Sequence, residues 1–188
     1  MPTSAESAFM FDRRAPGQPL PWEWARQRLV AARNYWVATV GAHGPHVRPV
    51  WGVWRAEGLW FSTANPAVAN ALRDPRVSVH LESPADADEA VIVEGDLSRV
   101  RETEQLAPVL AEYNAKYGTD AEPTAEGMRD SQGAEGAMLL VRPRIVLGWS
   151  VDALDRATRW RAGPETSDLD DRGGDAARDL GDSDEVAW

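Results

Sequence analysis

From Asn34 to Ala64 the chain reads NYWVATVGAHGPHVRPVWGVWRAEGLWFSTA, three strand-like runs separated by two turn-forming clusters. The first connection holds Gly41, Ala42, His43, Gly44 and Pro45, the second Ala56, Glu57 and Gly58. Short connections of this composition join antiparallel neighbours, so the segment predicts an antiparallel meander. Side chains alternate between the two faces of a strand. In the middle run Val50, Gly52 and Trp54 therefore point one way, and Trp51, Val53 and Arg55 the other. Each set contains a large aromatic, so neither face reads as simply solvated. A small barrel covered outside by helices or by a second subunit accounts for both. Pro49 cannot donate to a ladder, which places a bulge or an exposed edge there and frees backbone groups for a ligand.

The rest of the chain extends this frame. Pro21 opens PWEWARQRLVAAR, in which Trp22, Leu29 and Val30 share one helix face. NPAVANALRDP predicts a short helix capped by Asn65, with Pro66 in its first turn and Pro75 ending it. RVSVHLES is a fourth strand with Val77, Val79 and Leu81 on one face, and AVIVEGDLSRVR a fifth. TEQLAPVLAEYNAKYG predicts an amphipathic helix presenting Leu106, Val109, Leu110 and Tyr113. Residues 119–136, rich in Gly, Asp and Glu, read as a mobile loop. AMLLVRPRIVLGWSV reads as two linked strands hinged near Pro143, and ATRWR closes the folded part. The pattern is a mainly β fold with peripheral helices, a barrel of about seven strands.

A length of 188 residues fits one domain with tails. Residues 1–19 read as a disordered arm, 20–162 as the barrel domain and 163–188 as a disordered acidic tail. From Gly163 to Trp188 nine acidic side chains face two basic ones, which accounts for seven of the ten net negative charges. Such a segment buries too little apolar surface to offset its ordering entropy. The acidic balance argues against nucleic acid as a partner, since phosphates are repelled. No apolar run reaches the roughly 18 residues of a membrane helix, and the N-terminus lacks the pattern of a secretory signal. The chain has no cysteine, which removes disulfides, thiolate metal sites and cysteine nucleophiles and fits a cytoplasmic address.

Residue chemistry leaves the site open. Trp51, Trp54 and Trp60 suit a packed core, a subunit contact or a ligand wall. Ser62 and Thr63 end a strand just before a helix, a place that suits a phosphate and equally suits routine capping. Arg159 and Trp160, with Trp149, can bring a cation to flat rings. His43, His46 and His80 lack metal-ligand spacing. No serine stands in a nucleophile elbow and no Gly-rich phosphate loop occurs. Chemistry carried by a bound cofactor needs few protein groups of this kind.

NYWVATV, GPHVRPVWGVW, LWFSTA, NALRDPRVSVHLES, VIVEGDLSRV, VRPRIVLGW and ATRW, in that order, resemble the pyridoxamine 5′-phosphate oxidase-like superfamily. The likeness is to its actinobacterial flavin/deazaflavin oxidoreductase branch, over about residues 22–161. It implies a split β-barrel of the FMN-binding type, a homodimer with cofactor sites in the grooves between subunits. The implied cofactor is the deazaflavin coenzyme F-420 or FMN, and the implied activity is hydride transfer to a small organic substrate. By the same resemblance Arg48, Pro49, Val50 and Trp51 lie along the cofactor ring. Ser62 and Thr63 form the phosphate-contacting strand end, and Asn70 matches the asparagine of the next helix. Trp149 and Arg159 close over the cofactor from the opposite subunit, and the clustered tryptophans wall the groove. One position departs from the pattern: the lysine that holds the phosphate falls at Ala67, after Pro66. That departure keeps a second reading alongside the first, a non-catalytic ligand-binding or scaffold dimer that has lost its phosphate site.

Overall fold

A computed structural model describes residues 2–10, 13–42, 44–64, 70, 73–83 and 88–162. Strands dominate. In chain order they are β1 (Pro2–Ser7), β2 (Phe9–Met10), β3 (Arg13–Arg14), β4 (Tyr35–Gly41), β5 (Gly44–Val50), β6 (Gly52–Arg55) and β7 (Gly58–Thr63). They continue as β8 (Arg76–Leu81), β9 (Glu89–Val100), β10 (Glu122–Thr124), β11 (Gly127–Arg129), β12 (Glu135–Ser150) and β13 (Thr158–Ala162). Helix α1 (Trp22–Ala31) precedes β4, α2 (Thr103–Tyr117) follows β9, and a 3-10 segment (Val151–Arg156) links β12 to β13. The fold is mainly β with few helices.

The long strand β12 is the spine. One edge pairs with β9 from Met138–Val100 to Ser150–Glu89. The other is shared by β7, paired from Ala137–Thr63 to Val141–Leu59, and by β13, paired from Ile145–Arg161 to Gly148–Thr158. From β9 the sheet runs on through β8 and β4 to β5. Tyr35 and Val37 at that end join Leu59 and Phe61 of β7 in one buried core with Val79, Val93, Leu139, Val141 and Trp160. Strands from both ends of the path thus fill one interior, which requires the sheet to curl back on itself. α1 closes one end with Ala25 and Leu29 buried. On the outer face α2 lays Leu106, Val109, Leu110 and Tyr113 over Val53, Trp60, Met138 and Leu140. Both faces of β7 and of the first half of β12 are therefore buried.

The structure corrects several sequence expectations. HVRPVWGVW is two strands, because the chain changes partner at Trp51: β5 pairs with β4, whereas β6 pairs with β7. AMLLVRPRIVLGWSV is one strand, and Pro143 is absorbed by a register shift between Pro143 and Ile145. The first 19 residues are not without structure: β1 pairs with β13, and β2–β3 set Ala8 and Ala15 against Ala157 and Trp149. Its stability comes from pairing with residues some 155 positions away in sequence. The segment expected as a loop contains the β10–β11 hairpin, held by buried Ala121 and Met128 and by its ladder to β12. Val30, expected on the buried face of α1, is 43% exposed. The acidic tail lies outside the described residues.

Candidate functional site

Strand β5 is the end of the sheet path and, among the described residues, hydrogen-bonds only to β4. Pro45 and Pro49, which have no N–H, are tolerated because they sit on such an edge. The Val47 carbonyl accepts a hydrogen bond from Arg48 Nη1 at 3.0 Å instead of a strand neighbour. Arg48 and Val50 face the interior side, opposite Val37 and Tyr35, while Pro49 stands opposite Trp36 on the outer face. Arg48 is exposed and makes no ion pair among the described residues. Trp51, at the joint, is 49% exposed and lies parallel to Tyr117, ring centroids 4.7 Å apart at 2°.

Ser62 and Thr63 end β7, which lies against β5. Thr63 is buried, as is Asn70, whose Nδ2 donates to Thr39 Oγ1 at 3.1 Å. Thr39 stands across from His46 on β5, and His46 Nε2 is buried with no hydrogen-bond partner among the described residues. The first group of expected residues (Arg48, Pro49, Val50, Trp51, Ser62, Thr63, Asn70) is thus brought to one region around β5 and the end of β7. Ala67 lies outside the described residues.

The second group is elsewhere. Trp149 packs with Ala8, Ala15 and Ala157 at the far end of β12. Arg159 stands across β13 from Leu147 and Glu6. Glu6 takes its ion pair from Arg161 at 3.1 Å, and the buried Arg159 Nε has no acceptor among the described residues. Ser62 is opposite Met138 and Arg159 opposite Leu147, nine residues along β12. At about 3.3 Å per residue this is roughly 30 Å. Trp149 and Arg159 therefore do not meet Ser62 and Thr63 within one chain.

The tryptophans do not share one wall. Trp60 is core beneath α2. Trp54 joins Trp22 and Trp160 around a cavity of about 210 Å³ beside α1 and Pro143, which none of the expected cofactor residues lines. Of the three, Trp51 alone is exposed, with its ring lying against Tyr117. Alternation across the β6–β7 hairpin separates Trp54 from Trp60, and the partner change at residue 51, which a continuous strand-like run does not reveal, sets Trp51 apart from both ladders.

Sequence reasoning passed over the groups beneath Trp51. Lys116 Nζ donates to the Gly52 carbonyl at 2.9 Å and to the Tyr35 hydroxyl at 3.1 Å. Burial, with the nearby Arg33 charge, lowers Lys116 to about 8. Burial likewise pushes Tyr113 up to about 12 and raises Tyr117 and Tyr35. One signal was legible: from Trp24 to Arg73 the only acidic residue is Glu57, in a chain with 30 of them. Such a stretch leaves β4, β5 and β7 without carboxylates that would repel an anion. Among the described residues no group of three His, Asp or Glu could hold a metal ion, and no helix is long and apolar enough to cross a membrane.

The model of the family described as pyridoxamine 5′-phosphate oxidase matches residues 23–143, well over half of the chain. The chain belongs to the pyridoxamine 5′-phosphate oxidase family. The matched region spans α1 through the first half of β12 and so includes the whole β5–β7 cluster. A search of curated proteins gave no match. Among solved structures, the conserved hypothetical protein Rv2991 of Mycobacterium tuberculosis is 24% identical, with a TM-score of 0.60 over 75% of this chain and 91% of that one. An F420 reductase is 21% identical, with a TM-score of 0.51 over 64% of this chain and 94% of its own. A FAD-binding protein of Mesorhizobium loti is 16% identical, with a TM-score of 0.50 over 77% and 96%. These likenesses identify the fold of the family.

Proposed function

We propose that the chain is one half of a homodimeric split β-barrel oxidoreductase. It holds a flavin-type cofactor, coenzyme F-420 or FMN, between two subunits and serves hydride transfer to a small organic substrate. The observation that carries this reading is the division of the expected site into two groups at opposite ends of β12. Each group contains a buried nitrogen with no hydrogen-bond partner among the described residues, His46 Nε2 in one and Arg159 Nε in the other. Buried polar groups are usually paired, and a group from a second copy or a ligand can meet both, accepting from Arg159 Nε and matching whichever role the His46 ring takes. A second copy brings the Trp149–Arg159 end of one subunit to the β5 edge of the other, and an anionic ligand between them meets both. The outer face of β4–β5, with Val40 47% and Val47 40% exposed beside Trp36 and Pro49, is the apolar surface for that copy.

The residues present fit such a cofactor. Arg48 makes no ion pair among the described residues and lies on a strand edge without carboxylates, and Trp51, three residues along the chain, offers an exposed planar ring. When bound, a flavin or deazaflavin supplies the hydride chemistry. The protein's residues hold and orient it: Arg48, Ser62 and Thr63 at the anionic end, and the β5 edge with Trp51 along the ring. The F420 reductase and the FAD-binding protein among the structural neighbours support this class of ligand. F-420 is favoured over FMN, because dispersed arginines can meet its long acidic tail and its binding leans less on one lysine.

The absorption spectrum of freshly purified protein, followed by titration with FMN and with F-420, tests the reading. Failure of both to bind at about 50 µM, a Kd limit equivalent to roughly −6 kcal/mol, removes it. Mixing Arg48→Ala with Arg159→Ala subunits tests the shared groove, since a mixed dimer keeps one intact site and regains binding that each variant alone lacks. Ala67 in the phosphate lysine position favours the second reading, a ligand-binding dimer without catalysis; hydride transfer by the cofactor-loaded protein excludes it.

A further inference from the structure

Trp51 belongs to neither ladder that flanks it. A chain that changes partners at one residue needs its joint held, and α2 does this with its last residue. The Tyr117 hydroxyl accepts a hydrogen bond from the Gly52 N–H at 2.9 Å. Its own proton goes to the Gly52 carbonyl at 2.8 Å or the Arg33 carbonyl at 2.9 Å. Lys116 donates to the same Gly52 carbonyl, and the Arg33 guanidinium lies 5.2 Å from the centre of the Tyr117 ring. Gly52 is needed for the close pairing with β7 at this joint, since a Cβ there would come 2.6 Å from the Trp60 carbonyl oxygen. The Tyr117 ring then lies flat against one face of the Trp51 indole, and Tyr113 packs beside it at 4.8 Å. Stacked on this side, Trp51 is still 49% exposed.

An exposed indole on a strand joint ordinarily samples several side-chain rotamers, and binding a flat ligand would have to freeze them. We infer that Tyr117 is a positioning residue of the cofactor site: it fixes the Trp51 indole as a rigid shelf for a planar ring. Tyr117 does not touch the cofactor and acts through Trp51. The inference rests on the flavin reading above.

A double-mutant cycle on Trp51→Ala and Tyr117→Leu, with Tyr117→Phe as the conservative variant, tests it. Affinity for FMN and for F-420 is read from the ligand's absorption, and thermal melts report folding separately. Tyr117→Leu weakens binding about tenfold, the scale of one aromatic stacking contact, while Tyr117→Phe, which keeps the ring, stays within about threefold of wild type. In the Trp51→Ala background Tyr117→Leu causes no further loss. Equal losses with and without Trp51, or wild-type affinity in Tyr117→Leu, overturn the inference and leave the flavin reading standing. A wild-type protein that binds neither cofactor removes both. Tyr117→Leu that lowers the melting temperature without weakening binding reduces Tyr117 to a structural role.

Discussion

Replacing Asn70 by Ala tests whether the end of β4 is held as described. Asn70 is 7% and Thr39 3% exposed, and the amide Nδ2 donates to the Thr39 hydroxyl at 3.1 Å. A neutral hydrogen bond contributes about 1 kcal/mol net, but removing one partner from a dry site leaves the other unmet and raises the cost to about 1–3 kcal/mol. The lost carboxamide also leaves a small cavity, so about 2–3 kcal/mol is expected. For a chain of this size each kcal/mol moves the melting temperature by about 2–4 °C, giving a fall of about 4–12 °C. Calorimetry at one fixed protein concentration measures it, since self-association would make the midpoint concentration-dependent. The Thr39→Val/Asn70→Leu pair, which removes both polar groups, should lose clearly less than its two single changes summed. An Asn70→Ala protein melting within about 1 °C of wild type, or strict additivity in the pair, refutes the reasoning.

Ala67→Lys restores a charge-assisted contact worth about 1.5–3 kcal/mol, so FMN affinity should rise about ten- to hundred-fold in a fluorescence titration; an unchanged Kd means that the phosphate does not lie near residue 67. Lys116 is lowered to about 8 by burial and the Arg33 charge, against about 10.4 unfolded. As pH rises from 8 the folded chain releases a proton that the unfolded chain keeps, so this group adds stability, about 1 kcal/mol by pH 9.5 after discounting for its partial solvation. Wild-type melts compared with Lys116→Met between pH 8 and 9.5, below the raised tyrosines, should diverge in that sense, and parallel curves sink the prediction. Gly58 has φ +135°, and a Cβ there would come 2.0 Å from the Val141 carbonyl oxygen. Gly58→Ala should therefore cost at least about 2 kcal/mol in urea unfolding, and a cost below about 0.5 kcal/mol would contradict the tight β6–β7 turn.

Much of the β fold was legible because its strands carry their burial in the alternation of their side chains. Leu59 and Phe61 face the interior and Trp60 faces α2, as a two-sided strand requires. Val77 and Val79, and the four apolar positions of α2, are buried where their periods put them. What escaped is stabilised by partners remote in sequence. PTSAES has no strand-forming character of its own, and β1 exists through its ladder to β13. The β10–β11 hairpin buries little beyond Ala121 and Met128, too few apolar positions to register as a pattern.

The site divides along the same line. Arg48 to Trp51 and Ser62 to Thr63 are short range in sequence, and the meander alone puts them side by side. The role of Trp51 is different in kind. Trp51, Trp54 and Trp60 are alike as residues: strand alternation sends Trp54 and Trp60 to opposite faces of the β6–β7 hairpin, and a change of hydrogen-bonding partner between Val50 and Gly52 leaves Trp51 outside both ladders. That change is fixed by Tyr117 and Lys116, more than sixty residues downstream, so no reading of the hairpin by itself could assign the one indole that stays open. Spacing within a strand predicts which side chains share a face; which of them a ligand can reach is decided by the helix end that closes over the joint.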